Sequence, residues 1–203
     1  MARRSISSSI AFRRAACERI TNEIGVYALC DLDGIPIYVG QSVDGIRARV
    51  RRHLTSARSD IIANRQVDVW EAAWVWAWPT ARSEIVRLEA TLFGHFDAKS
   101  KLMNGSVPTL TPDEALVRPP DQRIQVLADE DIAARRVASA RLPRQVEHYS
   151  RLVDHFLTVK DSRQISLSLD AHFRRLTRYH AEFLAVSGPL PTESQDADGR
   201  END

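Results

Sequence analysis

Two apolar runs, Gly25-Val-Tyr-Ala-Leu-Cys30 and Ile35-Pro-Ile-Tyr-Val-Gly40, flank the pair Asp33-Gly34. Asp-Gly between such runs signals a hairpin, because both residues tolerate the positive φ of a tight type I′ turn. A turn there pairs Leu32 with Ile35, Leu29 with Tyr38 and Tyr27 with Gly40. The two-residue period then places Tyr27, Leu29, Tyr38 and Gly40 on one face and Val26, Ala28, Cys30, Ile37 and Val39 on the other, which reads as core. Upstream, residues 10–20 fit a short helix. Downstream, Ile46, Val50, Leu54 and Ala57 recur at helical spacing behind Asp44, an N-cap residue. Residues 67–78 read as a strand with Trp74, Trp76 and Trp78 on one face. A helix to about residue 97 follows, capped by Thr80 or Ser83, with Ile85, Leu88, Leu92 and Phe96 as its apolar stripe.

Beyond Asn104 the prolines 108, 112, 119 and 120 mark a connection. Residues 123–141 fit a short helix opened by Asp129 or Asp131. After Pro143, one stripe (Val146, Tyr149, Val153, Phe156, Leu157) and then another (Leu169, Phe173, Leu176, His180, Phe183, Leu184) predict two antiparallel helices. The expected organisation is a basic N-terminal arm or short helix over 1–20, a catalytic-sized domain over 21–106, a Pro-rich linker over 107–122, a helical region over 123–187 and an acidic disordered tail over 188–203. The fold class is α/β (α+β).

A length of 203 residues and 43% hydrophobic content suit a globular chain. No apolar run is long enough to cross a membrane, and residues 1–20 lack a signal-peptide core, so a cytoplasmic location is the default. Cys17 and Cys30 make no zinc pattern and no disulfide framework. The net charge of +1 conceals an asymmetry. Arginines crowd the first part of the chain and acids crowd the tail, so the early basic residues read either as a contact for a polyanion such as nucleic acid or as a solvated helix face.

Several residue sets carry chemistry. Tyr27 and Tyr38 meet across the hairpin, as a cross-strand pair or as part of a site. Arg49 and His53, four apart, share a helix face, with Arg47, Arg51, Arg52 and Arg58 spread around it. Glu89 borders a core-facing stripe, where a carboxylate needs a partner, either a salt-bridging cation or a metal ion. The three tryptophans read as a stacking platform for bases or, favoured here, as packing between sheet and helix.

Gly25-Val26-Tyr27, then Tyr38-Val39-Gly40 after a hairpin turn, resembles the GIY-YIG endonuclease signature. Arg49 and His53 resemble the family's next motif, Glu89 resembles its metal-binding Glu, and Asn104 resembles the Asn found after that helix. The resemblance covers about residues 24–106 and leaves residues 121 onward unmatched. It implies a small mixed three-stranded sheet flanked by helices, here with an added C-terminal helical region. It also implies hydrolysis of DNA phosphodiester bonds with one divalent ion, Mg2+ or its substitute Mn2+, held by Glu89. Tyr27, Tyr38, Arg49, His53 and Glu89 are then the catalytic set, with Gly40, Gln41 and Asn104 in support. Gln41 stands where many members carry Lys. Tyr27, the first tyrosine of the motif, and His53, whose ordinary pKa is near ~6.5, are rival proton acceptors. Arg47, Arg51, Arg52 and Arg58 are expected at DNA phosphates. Restriction or defence, repair and mobile-element processing all suit such an enzyme. The alternative is a catalytically inactive DNA-binding or protein-interaction module on the same fold. The C-terminal helices are expected to serve DNA contact, a homodimer or a protein partner.

Overall fold

The computed structural model describes residues 2–56, 59, 61, 65–159 and 162–187, with residues 2–8 by backbone alone. Arg58 and the acidic tail lie outside the described residues. Helix α1 (Ala2–Glu18) leads to strands β1 (Gly25–Cys30) and β2 (Pro36–Ser42), helix α2 (Ile46–Thr55), strand β3 (Trp74–Pro79) and helix α3 (Ile85–Asp97). A short 3-10 turn at Glu114–Leu116 precedes strand β4 (Gln122–Gln125) and helices α4 (Asp129–Arg136), α5 (Ala138–Thr158) and α6 (Arg163–Ser187).

The strands run β2-β1-β3-β4 with every pair antiparallel. Among the described residues the sheet therefore has four strands and no parallel pair, where the resemblance implied a mixed sheet of three. The added strand reads Gln-Arg-Ile-Gln, too polar for a strand pattern, yet an edge strand needs no apolar alternation. Its flank is covered by the N-terminal segment: Arg19 donates to the Gln125 carbonyl, Arg13 to those of Val126 and Ala72, and the Thr21 amide to the Gln122 side chain.

The hairpin keeps the expected register, Tyr27 opposite Gly40 and Leu29 opposite Tyr38. Its turn is longer than two residues, because the register shifts after Leu29 and Cys30 pairs with Pro36. The Asp31 carboxylate accepts the amides of Asp33 and Ile35, and Gly34 takes φ 75. A side-chain-capped turn thus replaces the I′ turn and holds Asp31 fully buried at the tip.

Both faces of the sheet are covered. On one, Tyr27, Leu29, Val75 and Ala77 pack with Ile20 and with Ile46, Val50 and Leu54 of α2. On the other, Val26, Ala28, Cys30, Val39 and Trp78 pack with Ile85, Leu88 and Leu92 of α3. Ile37, expected with the second set, joins the first. Strand β3 begins at Trp74 rather than residue 67, since residues 68–72 turn back on themselves through Glu71 N–H to Asp68 C=O and Ala72 N–H to Val69 C=O. Trp76 and Trp78 pack on α3, with ring centroids 6.0 and 6.1 Å from Phe96; Trp78 is fully buried and Trp76 only half-buried.

The last two helices turn a polar face inward. The buried residues of α5 are Arg141, Gln145, His148 and Leu152. The apolar residues that suggested a buried stripe are partly outside: Val146 is 47% exposed, Leu157 74% and Phe173 56%. The reason is the surface they meet. Asp31, Asp33, Asp68 and Glu71 face them, and Arg141 forms a two-pronged bond to Glu71 at 3.0 and 2.9 Å and another to Asp33 at 2.6 Å. Arg175 bonds Asp31 at 2.7 Å, and Arg144 bonds Asp68 at 2.9 and 3.0 Å. Burial alone would raise the Asp33 carboxyl, but Arg141, Arg136 and Arg178 hold it below its ordinary range. The buried His148 and His172 donate Nε2–H to the carbonyls of Arg65 and Gln66, and burial keeps His172 neutral down to about pH 3. Helix α5 starts before Pro143 and runs through it, which brings Arg141 into this interface.

Candidate active site

Helix α2 is tied to the sheet at its first turn. No side chain caps it at Asp44 or elsewhere. The free amides of Ile46 and Arg47 donate instead to the carbonyls of Glu23 and Thr21, just ahead of β1. Burial of Ile46, Val50 and Leu54 then fixes the rotation of the helix and turns His53 toward the hairpin. The rings of Tyr27, Tyr38 and His53 form a triangle with centroids 6.2, 5.9 and 6.0 Å apart. Tyr27 Oη lies 2.7 Å from His53 Nε2, and His53 Nδ1 lies 2.6 Å from Ser59 Oγ. With the proton on Nδ1, His53 donates to Ser59 and accepts from Tyr27. Tyr27, His53 and Ser59 are fully buried, whereas Tyr38 and Arg49 are partly open.

Gly40 makes this packing possible. A Cβ there would come within 2.7 Å of Tyr27 Oη and 2.8 Å of Tyr38 Cε1. Asn104 supports the same strand. Its Oδ1 accepts Val39 N–H at 3.1 Å and its Nδ2 donates to the Val39 carbonyl at 2.6 Å, so the side chain pairs with the edge strand as a neighbouring backbone would.

Glu89 arrives from the other layer, since α3 packs on the sheet face opposite the tyrosines. The charge of Arg49, on α2, reaches Glu89 across this division. Burial raises the Glu89 carboxyl to about 7, and the Arg49 charge is the one opposing influence. The cations nearest in sequence are engaged elsewhere, Arg87 with Asp113 and Arg82 with the Val43 carbonyl.

The remaining expected residues are less concentrated. Arg47 donates to the Ile20 carbonyl at 2.7 Å, and Arg51 pairs with Glu18 at 3.3 Å. These two line a shallow surface between α1 and α2 with the exposed Arg52. Gln41 is half-buried at the end of β2. Ser59 went unnoticed in the sequence, where a lone serine six positions after a histidine carries no signal.

This arrangement coincides with the one comparison that gives a match. Residues 23–103 match the GIY-YIG catalytic domain. No curated protein and no solved structure matches the chain. The GIY-YIG match suggests a nuclease and a DNA substrate, and such nucleases are generally dependent on a divalent metal. Tyr27, Tyr38, Gly40, Arg49, His53 and Glu89 all lie inside the matched stretch. Among the described residues no group of three or more His, Cys, Asp or Glu gathers to hold a metal. A single desolvated carboxylate at Glu89 fits a hard cation that keeps most of its waters, the habit of magnesium. No described helix is long and apolar enough to cross a membrane.

Proposed function

We propose that the protein is a divalent-metal-dependent DNA endonuclease that hydrolyses phosphodiester bonds, using Mg2+ or, in its place, Mn2+. The observation that carries this reading is the Tyr27–His53–Ser59 chain beside Tyr38, with Arg49 and a carboxylate that favours its proton near neutrality. Glu89 would hold the ion, which would supply positive charge where the phosphoryl or leaving oxygen becomes more negative. Arg49 presents a planar fork to the non-bridging oxygens, whose charge grows at the transition state.

The proton is handled by the buried pair. Tyr38, the more open tyrosine, orients the attacking water. A water proton taken up at Tyr27 Oη is matched by the phenol proton passing to His53 Nε2. Ser59 accepts from His53 Nδ1–H and steadies the imidazolium so formed. Tyr27 and His53 therefore act in series rather than as rivals. Gly40 keeps the two tyrosines at working distance, and Asn104 holds the strand of Tyr38. Arg51 and Arg52 extend positive charge along the neighbouring surface toward flanking phosphates, with Arg47 behind them. Nicking of supercoiled plasmid by the purified protein, with and without magnesium, tests the proposal. Magnesium-stimulated nicking is expected, and its absence over a range of DNA forms refutes the enzyme.

A further inference from the structure

A cleft of about 730 Å³ opens between the β1–β2 turn, the C-terminal end of α3 and helix α6. It is formed jointly by the GIY-YIG domain and the unmatched C-terminal helices. Lys99, Lys101, Arg174, Arg175 and Arg178 line it, against one carboxylate, Asp97. Lys101 and Arg174 are 46% and 63% exposed at the rim, so their charge reaches solvent even though Asp97 and Asp170 lie beside them. Arg175 forms part of the inner wall at 5% side-chain exposure. Its terminal nitrogens bond Asp31, the Pro36 carbonyl and Ser100, while its Nε–H finds no acceptor among the described residues. That nitrogen is itself buried and Arg175 is neutralised by Asp31, so the cations open to an anion in the cleft are the exposed ones at its rim, Lys99, Lys101 and Arg174.

The cleft is not only charged. Trp76 and Phe96 line it too, edge to face with centroids 6.0 Å apart. Its volume lies within the ~300–1,000 Å³ of small-ligand sites, the scale of one nucleotide and not of a duplex. Phe96 lies on the same helix as Glu89, roughly 10 Å further along at 1.5 Å per residue. A strand engaged at Glu89 reaches the cleft within a few nucleotides.

We propose that this cleft takes an unpaired nucleotide of the DNA substrate, its phosphate at Lys99, Lys101 and Arg174 and its base against Trp76 and Phe96. The ligand class rests on the nuclease reading above, but the binding does not depend on cleavage. The substrate is then DNA with a single-stranded branch or tail rather than uninterrupted duplex. Aromatic platforms flanked by cations hold single strands in this way, with a marked dependence on salt.

The test uses the full chain in EDTA and measures anisotropy with labelled oligothymidylate, a blunt duplex and a forked duplex of equal paired length. The wild-type protein is expected to prefer the fork by about tenfold or more, the scale of one stacked base. The triple variant Lys99→Glu, Lys101→Glu, Arg174→Glu, altered only at surface positions and checked for an unchanged unfolding midpoint, brings the fork-to-duplex ratio to about one. It also flattens the salt slope for oligothymidylate. Equal affinity of the wild type for fork and duplex overturns the proposal, as does a triple variant that keeps the preference. Full displacement of oligothymidylate by millimolar inorganic phosphate also overturns it, reducing the cleft to a simple anion site. Plasmid nicking separates the two readings. Fork preference without any nicking sinks the nuclease and leaves the cleft, and nicking without fork preference does the reverse.

Discussion

Glu89→Gln is expected to make the metal-free protein more stable at alkaline pH. Burial raises this carboxyl from 4.5 to about 7, with Arg49 offsetting only part of the effect. The native state therefore holds a proton that the unfolded chain has released between those two values. The sign follows directly. Stability from the protonated group is complete below pH 4.5 and is lost as pH rises through about 7. The shift corresponds to at most about 3 kcal/mol at 1.36 kcal/mol per pH unit. Glutamine keeps the shape and never ionises, so the variant should exceed the wild type by about 1–3 kcal/mol at pH 8 and by less than about 1 kcal/mol at pH 5. Urea unfolding in EDTA at both pH values measures the difference, and comparing variant with wild type cancels every other titrating group. Magnesium should then stabilise the wild type at pH 8 and leave Glu89→Gln unmoved, since only a native-state ligand shifts the equilibrium. A variant no more stable than wild type at pH 8 would refute the desolvated-carboxylate account.

Tyr27→Phe removes the hydroxyl that meets His53 and should lower single-turnover cleavage by about 10²–10⁴-fold with DNA affinity retained, read by quench-flow under saturating protein. Gly40→Ala places a methyl within 2.7 Å of Tyr27 Oη. It should cost about 1–3 kcal/mol in urea unfolding and most of the cleavage rate as the tyrosines separate. Arg141→Ala strands Glu71 and Asp33 without their main counter-ion, at an expected cost of about 3–5 kcal/mol, and thermal melting at pH 7 measures it.

The local parts of the site were legible because they rest on short-range rules. Alternation and the Asp-Gly signal put Tyr27 opposite Gly40 and Leu29 opposite Tyr38. Helical spacing put Arg49 and His53 on one face, and the stripe of α3 identified Glu89 as a carboxylate at the edge of a core. What escaped was set by long-range partners. Strand β4 is polar because it lies at an edge covered by the N-terminal segment. The inward faces of α5 and α6 are polar because Asp31, Asp33, Asp68 and Glu71 oppose them, so the apolar stripes at Val146, Leu157 and Phe173 pointed the wrong way. The contact of Ser59 with His53 and the pairing of Asn104 with Val39 depend on chain reversals that no periodicity records. The influence of the Arg49 charge on Glu89 is of the same kind, since the two belong to layers on opposite faces of the sheet.

The central claim is that Glu89 with a divalent ion, acting together with the Tyr27–His53 pair, cuts DNA. Single-turnover cleavage by wild type and Glu89→Gln, with all the DNA bound and with magnesium present or withheld, tests it most directly. The account predicts magnesium-dependent cleavage by the wild type and a rate at least about 100-fold lower for Glu89→Gln at equal occupancy. Cleavage by Glu89→Gln at the wild-type rate in magnesium would contradict it.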